Sequence, residues 1–197
     1  MQCGLSWDTV LKKREIFRSC FDGFNYEKIA TYTAKDIERI MNTAGVIRSQ
    51  RKIEAVINNA RIFQKIRNEF GSFSQYIWSW SGGKALLYRG HELGNLPASN
   101  ELSDKISADL KKRGMKFLGS VTVYAHLQAS GIINDHIKDC YCNKRLLEQY
   151  PTQYIETKIT IKRRIFVLGY HCSTTQRPIR IDYRSFAFIE ELSIDDV

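Results

Sequence analysis

Residues 109–119, Asp109-Leu-Lys-Lys-Arg-Gly-Met-Lys-Phe-Leu-Gly119, decide the fold, because they place a short glycine-flanked turn between two segments of helical periodicity, 101–112 and 120–130. Glycine lacks a Cβ atom, so the backbone N–H groups of such a turn can closely approach a bound phosphate. The candidate phosphate-binding residues are Gly114, Lys116, Phe117 and Gly119, and the basic side chains expected to add charge around the same phosphate are Lys111, Lys112, Arg113 and Lys116. An ordinary helical hairpin whose lysines are merely solvated remains the alternative.

The chain before this turn is also helical in pattern. Thr33-Ala-Lys-Asp36 resembles a capping box that begins a helix, and Gly45 follows that helix where a left-handed residue is favoured. The pattern therefore predicts a mainly α protein. The predicted helices are 5–20, 25–29, 34–44, 48–69, a short one within 71–80, and the two that flank the turn.

The C-terminal part of the chain has a different pattern. Thr157-Lys-Ile-Thr-Ile-Lys162 and Ile179-Arg-Ile-Asp-Tyr183 alternate apolar and polar residues, and Ile165-Phe-Val-Leu168 is a continuous apolar run. These patterns are typical of strands. We therefore predict a helical domain over 1–142 and a small β-rich tail over 143–197.

Composition points to a partner with negative charge. The 197 residues include 30 Lys and Arg against 21 Asp and Glu, a net charge of +9, which favours a polyanion through counterion release. No run of apolar residues is long enough for a membrane span, and the first residues do not resemble a signal peptide, so we expect a cytoplasmic protein. The five cysteines form no regular framework and are expected to be reduced thiols or metal ligands.

Several motifs, in order and in register, resemble the DNA-3-methyladenine glycosylase I family over residues 2 to about 142. The turn at 109–119 and the segment Gly131-Ile-Ile-Asn-Asp-His136 are similar to the signature of that family. The other matching segments are Gln2-Cys-Gly-Leu-Ser-Trp7, Thr9-Val-Leu-Lys-Lys-Arg-Glu15, Ala44-Gly-Val-Ile-Arg48 and Lys52-Ile-Glu-Ala-Val-Ile-Asn-Asn-Ala-Arg61.

The resemblance implies a helix-hairpin-helix DNA glycosylase fold and a monofunctional enzyme of base-excision repair. Its partner would be double-stranded DNA containing alkylated adenine, with a monomer favoured. Such an enzyme swings the damaged nucleotide out of the stack to reach its glycosidic bond. By its position, Trp7 would pack against the extruded base, and Gly4 and Leu5 would fill the gap left in the duplex. Without the resemblance, Trp7 is better explained as a core aromatic residue.

His136 and Cys140 match two of the four ligands of the structural zinc ion in that family. The other two ligands, and the glutamate that binds the methylated base, belong in the family to a segment that precedes the start of this chain. We therefore expect weak zinc retention. The alternative function is a DNA-binding protein that performs no chemistry.

Two further features are interpreted as structural. Asp135 can be compared with the catalytic aspartate of other helix-hairpin-helix glycosylases, but we favour a role in orienting the turn before His136. Tyr76, Trp78 and Trp80 are better explained by core packing than by base stacking, because they share one predicted helix.

Overall fold

The computed structural model describes residues 7–94 and 96–156, and these residues are mostly helical. No helix in these ranges combines the length and the apolar composition that crossing a membrane requires. The helices are α1 (Trp7–Lys12), α2 (Arg14–Cys20), α3 (Tyr26–Ala30), α4 (Ala34–Asn42), α5 (Gln50–Phe70), α6 (Phe73–Ser79), α7 (Glu101–Lys112), α8 (Ser120–Ala129) and α9 (Tyr141–Gln149), with single 3-10 turns at Asp22–Phe24 and His91–Leu93.

The predicted helices are confirmed, with local corrections. The segment 5–20 is interrupted at Lys13, so two short helices replace one. The N–H of Thr33 donates to the Asp36 carboxylate at 2.9 Å, as the capping box requires. The helix that follows ends at Asn42, and Gly45 has the left-handed backbone that its position predicted, with φ +81°.

The chain divides into two compact units. The first comprises 7–76 and 109–118, and its core forms between α2, α3, α4 and α5. Arg61 of α5 caps the C-terminal end of α3, because its guanidinium donates hydrogen bonds to the carbonyls of Ala30 at 2.8 Å and Tyr32 at 3.2 Å. The buried residues of this core are Phe17, Cys20, Phe21, Ile29, Ala30, Tyr32, Ile40, Val46, Ile53, Ile57 and Ala60.

The second unit comprises 77–94, 96–108 and 119–156, and is built around a strand that the sequence patterns did not predict. This strand, β1 (Ala85–Tyr88), is buried along its whole length and pairs in parallel with β2 (Thr152–Ile155), Ala85 opposite Thr152. On its other side, the N–H of Leu86 donates to the carbonyl of Ile132 at 2.7 Å. The strand therefore lies between two segments that are far from it in sequence.

The predicted β-rich tail lies mainly outside the described residues. The predicted strands at 157–162, 165–168 and 179–183 are all in that part of the chain. Within the described part, α9 runs across residue 142 and β2 follows it, so helix and strand alternate there. The division into 1–142 and 143–197 stays a prediction.

The burial of His126 in α8 is expected to make the stability of the fold sensitive to acid. Burial lowers the pKa of His126 from 6.5 to about 4. The unfolded chain therefore binds this proton between pH 6.5 and 4 while the folded chain does not. We expect His126 to lower the free energy of unfolding by on the order of 3 kcal/mol as the pH falls through that range.

Urea unfolding of the parent chain and of His126→Gln at pH 7 and pH 4.5 measures this effect. The variant should lose less stability than the parent on acidification. Equal losses in the two proteins would contradict the prediction.

Candidate functional site

The glycine-flanked turn lies where it was predicted, between the last residue of α7 and the first residue of α8. Gly114 has φ +99°, and a Cβ atom there would lie 3.1 Å from the Ile62 side chain, so both the backbone and the space favour glycine. Met115 is buried, while Phe117 is 44% exposed and has φ +55°. Gly119 has φ −103° and no protein atom near an added Cβ. The turn thus packs against the Ile62 side chain at Gly114, whereas a side chain at Gly119 would meet no protein atom.

Two adjacent asparagines of α5 hold the turn in place. Asn58 donates from Nδ2 to the carbonyl of Gly114 at 2.9 Å. Asn59 donates to the carbonyl of Lys116 at 2.9 Å and accepts from the N–H of the same residue at 2.8 Å. Both residues belong to the matching segment 52–61, and no role was predicted for them. They fix the path of the turn through its main chain.

These bonds also show which N–H groups of the turn are already used. The N–H of Gly114 donates to the carbonyl of Lys111, that of Met115 to Leu110, and that of Lys116 to Asn59. Val123 is the first residue of α8 whose N–H reaches a carbonyl of the preceding turn, that of Gly119. Helix N-termini leave their first N–H groups without intrahelical acceptors, so an anion here would be expected to meet the N–H groups at the start of α8 rather than those of Gly114 or Lys116.

The basic residues beside the turn fall into two kinds. Lys111, Lys112 and Lys116 are exposed and contribute charge to the surface. Arg113, which was grouped with them, is largely buried and donates to Glu69 at 2.6 Å and to Asp109 at 2.7 Å. Because these two carboxylates neutralise its charge, Arg113 stabilises the structure beside the turn rather than adding positive charge to the surface.

The Arg113 cluster joins the end of α5 to the end of α7 within the first unit. Its guanidinium also lies over the rings of Phe70 and Tyr76, 5.2 Å and 5.4 Å from their centroids. The hydrogen bonds that Arg113 donates to Glu69 and then to Asp109 raise the pKa of its guanidinium. Burial alone would raise the pKa of Asp109, but hydrogen bonds from Arg113 and Tyr76 bring it below its ordinary value. Tyr76, 1% exposed, is a core residue as interpreted.

The predicted base-contacting residues are at the N-terminal edge of the described chain. Gly4 and Leu5 lie outside the described residues. Trp7 is the first residue of α1, which places its backbone at the start of that helix. The roles proposed for these three residues stay predictions.

The structure brings the two predicted metal ligands together and adds a third residue. The Sγ atom of Cys140 lies 3.7 Å from Nδ1 of His136. Cys142, which was not predicted as a ligand, places its sulfur in the same cluster, and the three ligand atoms all lie within 4.8 Å of one another. Burial lowers the pKa of His136. The sequence signal for Cys142 was the Cys-x-Cys spacing itself.

Asp135 is enclosed by three partners of the second unit. Its carboxylate is 2.7 Å from Nδ1 of His91, and it accepts from the hydroxyl of Tyr124 and from Nε2 of Gln128, the latter at 2.9 Å. Burial, and then the charge of Asp135, raise the pKa of Tyr124, which keeps its hydroxyl as a donor. The side chain of Asp135 is only 4% exposed. This arrangement favours the structural interpretation of Asp135 over a catalytic one.

The chain is similar to one group of known proteins. Residues 1–143 match the family model of the methyladenine glycosylases. The chain is 41% identical over 141 residues to DNA-3-methyladenine glycosylase 1 of Escherichia coli (strain K12), covering 72% of this chain and 75% of that protein. It is 42% identical to DNA-3-methyladenine glycosylase of Haemophilus influenzae, over 72% of this chain and 76% of that one.

Solved structures are also similar to this chain. A crystal structure of 3-methyladenine DNA glycosylase I matches with a TM-score of 0.65 and 42% identity, covering 72% of this chain and 78% of that chain. A structure of the Staphylococcus aureus enzyme that describes its recognition of 3-methyladenine matches with a TM-score of 0.64 and 39% identity, over 71% and 74% of the two chains.

Proposed function

Because this chain belongs to the methyladenine glycosylase family, we propose that it binds duplex DNA and hydrolyses the N-glycosidic bond of 3-methyladenine. The observation that carries the proposal is the family match over residues 1–143, which includes the turn and the predicted metal ligands. Both curated relatives are named as glycosylases of this base.

In this proposal, the turn binds the sugar–phosphate backbone of the DNA. The N–H groups at the start of α8 meet a phosphate, and Lys111, Lys112 and Lys116 add charge around it. These contacts read no sequence, which suits an enzyme that must search all of the DNA. The net charge of +9 supports the same partner.

The N-terminal residues act on the damaged nucleotide. Leu5 and Gly4 fill the gap that the extruded nucleotide leaves, and Trp7 packs on the base. N3-methylation makes the adenine cationic, so an indole face attracts it. When the bond between C1′ and N9 breaks, N9 keeps the electron pair and the base leaves neutral; the oxygen of water bonds to C1′ and a proton is released.

His136 and Cys140 fit a zinc ion in this proposal, since imidazole nitrogen and thiolate sulfur are its usual ligands. Tetrahedral coordination at ordinary bond lengths separates such a nitrogen and sulfur by roughly 3.6 Å. The observed separation of 3.7 Å agrees with that value. The ion would stabilise the fold at the segment before α9. We propose that the enzyme acts as a monomer.

Release of the base tests the proposed activity. The full chain is incubated with a methylated duplex, and free 3-methyladenine is followed by chromatography and mass detection. We expect the base to accumulate above a buffer control. A desolvated cation–π contact contributes about 2 kcal/mol. The variant Trp7→Ala should therefore react more slowly by a factor of about 30.

Trp80→Ala is the matched control, since Trp80 lies outside the N-terminal residues that are proposed to contact the extruded base. It should release the base at the parental rate while its thermal stability is monitored. A chain that binds methylated duplex and releases no base would overturn the enzymatic proposal in favour of a DNA-binding protein. Equal rates for Trp7→Ala and the parent would overturn the role of Trp7.

A further inference from the structure

We propose that the ring of Phe117 contacts DNA directly, packing on a deoxyribose of the duplex beside the phosphate that the turn binds. This inference rests on the proposed binding of duplex DNA and adds to it a contact that carries no charge. Phe117 has a left-handed backbone, with φ +55°, and the residue is 44% exposed. Together these features describe an apolar ring that a strained backbone holds at the surface.

The backbone conformation of Phe117 is one that an aromatic residue rarely adopts, because the Cβ atom of an L-residue crowds its own carbonyl there. Among the described residues, Asp22 and Phe24 are the other non-glycine residues with a positive φ. The carboxylate of Asp22 accepts a hydrogen bond from the hydroxyl of Tyr32, and the ring of Phe24 packs against the core of the first unit. The fold therefore uses both of those side chains, whereas much of Phe117 faces solvent.

The residues just before Phe117 fix the path of the turn. Asn59 accepts from the N–H of Lys116 at 2.8 Å and donates to the carbonyl of Lys116 at 2.9 Å. Met115 is buried. The ring is thus presented from a fixed backbone, so less conformational entropy is lost when it binds a partner. Backbone strain that the surrounding structure maintains is frequent at binding sites.

The position of the ring in the turn favours a sugar as its partner. Phe117 lies two residues before Gly119, the N-cap of α8, so their Cα atoms are at most about 7 Å apart. Each phosphate of DNA is bonded to deoxyribose, whose C–H groups are the apolar part of the DNA backbone. A phenyl ring has no hydrogen-bond donor or acceptor, so it binds these C–H groups and not the phosphate oxygens. Such a contact depends on neither base sequence nor salt.

Phe117→Asn tests this contact, because asparagine tolerates a positive φ and has no apolar ring. Its thermal stability should equal or exceed that of the parent. We expect its affinity for duplex to fall by about fivefold to tenfold, the effect of leaving roughly half of a phenyl side chain unburied. The slope of log affinity against log salt should stay unchanged, whereas Lys116→Ala should reduce that slope by about one. Fluorescence anisotropy of a labelled duplex with the full chain, at several salt concentrations, measures both quantities.

Phe24→Asn is the matched control, because Phe24 has the same backbone conformation but a ring that packs against the core. It should lose thermal stability and, where it is folded, bind duplex with the parental affinity. Phe117→Leu keeps an apolar side chain and should retain most of the affinity.

The outcomes separate this inference from the proposed function. Parental affinity in Phe117→Asn, or a loss that comes with lower thermal stability or a smaller salt slope, would overturn the role of the ring while DNA binding stands. A parent chain that does not bind duplex would overturn both.

Discussion

Replacing Asp135 with alanine is expected to lower the free energy of unfolding by about 3–5 kcal/mol. The substitution removes a buried carboxylate and leaves His91, Tyr124 and Gln128 without the acceptor that they share. Each buried polar group that loses its partner destabilises the fold by about 1–3 kcal/mol. Urea unfolding at pH 7, followed by circular dichroism, gives the difference in free energy.

Two further variants make this test specific. Asp135→Asn keeps the shape and some of the hydrogen bonds, so its loss should be smaller than that of Asp135→Ala. Asp8→Ala removes an exposed carboxylate whose ion pair with Lys12 lies on the surface, and it should change stability by less than about 1 kcal/mol. Similar stabilities for Asp135→Ala and Asp8→Ala would show that the enclosed carboxylate is unimportant to the fold.

The second large effect is expected on DNA affinity. Gly119→Ala adds a Cβ atom that meets no protein atom within 4 Å, at a φ of −103° that any residue adopts. The folded protein should therefore tolerate it. If a phosphate lies against this part of the turn, the methyl group displaces it, and we expect duplex affinity to fall by about tenfold to a hundredfold, equivalent to about 1.4–2.8 kcal/mol.

Gly114→Ala provides the contrast. Its left-handed backbone and the nearby Ile62 side chain oppose a Cβ atom, so this variant should lose thermal stability as well as affinity. Fluorescence anisotropy with a labelled duplex, together with thermal unfolding, separates the two effects. An affinity of Gly119→Ala equal to that of the parent would place the phosphate elsewhere.

The helices were predictable because their signals are local. Apolar spacing, the Thr33 capping box and the glycine at position 114 each act within a few residues, and the structure contains each of the predicted elements among the described residues. By contrast, β1 is a four-residue apolar run, and such a run does not distinguish a buried strand from part of a helix. Its partner β2 lies far along the chain, so local patterns carried no sign of the pairing.

The site was predictable to the same extent. The turn and the pair His136 and Cys140 follow from motifs, whereas the asparagines at 58 and 59 act on residues 56 and 57 positions away. On a helix, two polar amides read as solvent-facing positions, and only the three-dimensional structure shows what they contact. Arg113 was misjudged for a related reason, since one of its two carboxylate partners, Glu69, is 44 positions away in sequence, although Asp109 is only four residues before it.

The double pairing of β1 has a consequence for domain engineering. Ala85 and Arg89 donate their N–H groups to the carbonyls of Pro151 and Ile155, which lie beyond the last residue of the family match. A protein cut back to residue 143 would turn an interior strand into a bare edge, with unsatisfied donors beside apolar side chains, a recognised template for aggregation. Residues 151–155 are thus integral to this scaffold, and a minimal version of the domain must retain them or protect that edge in another way.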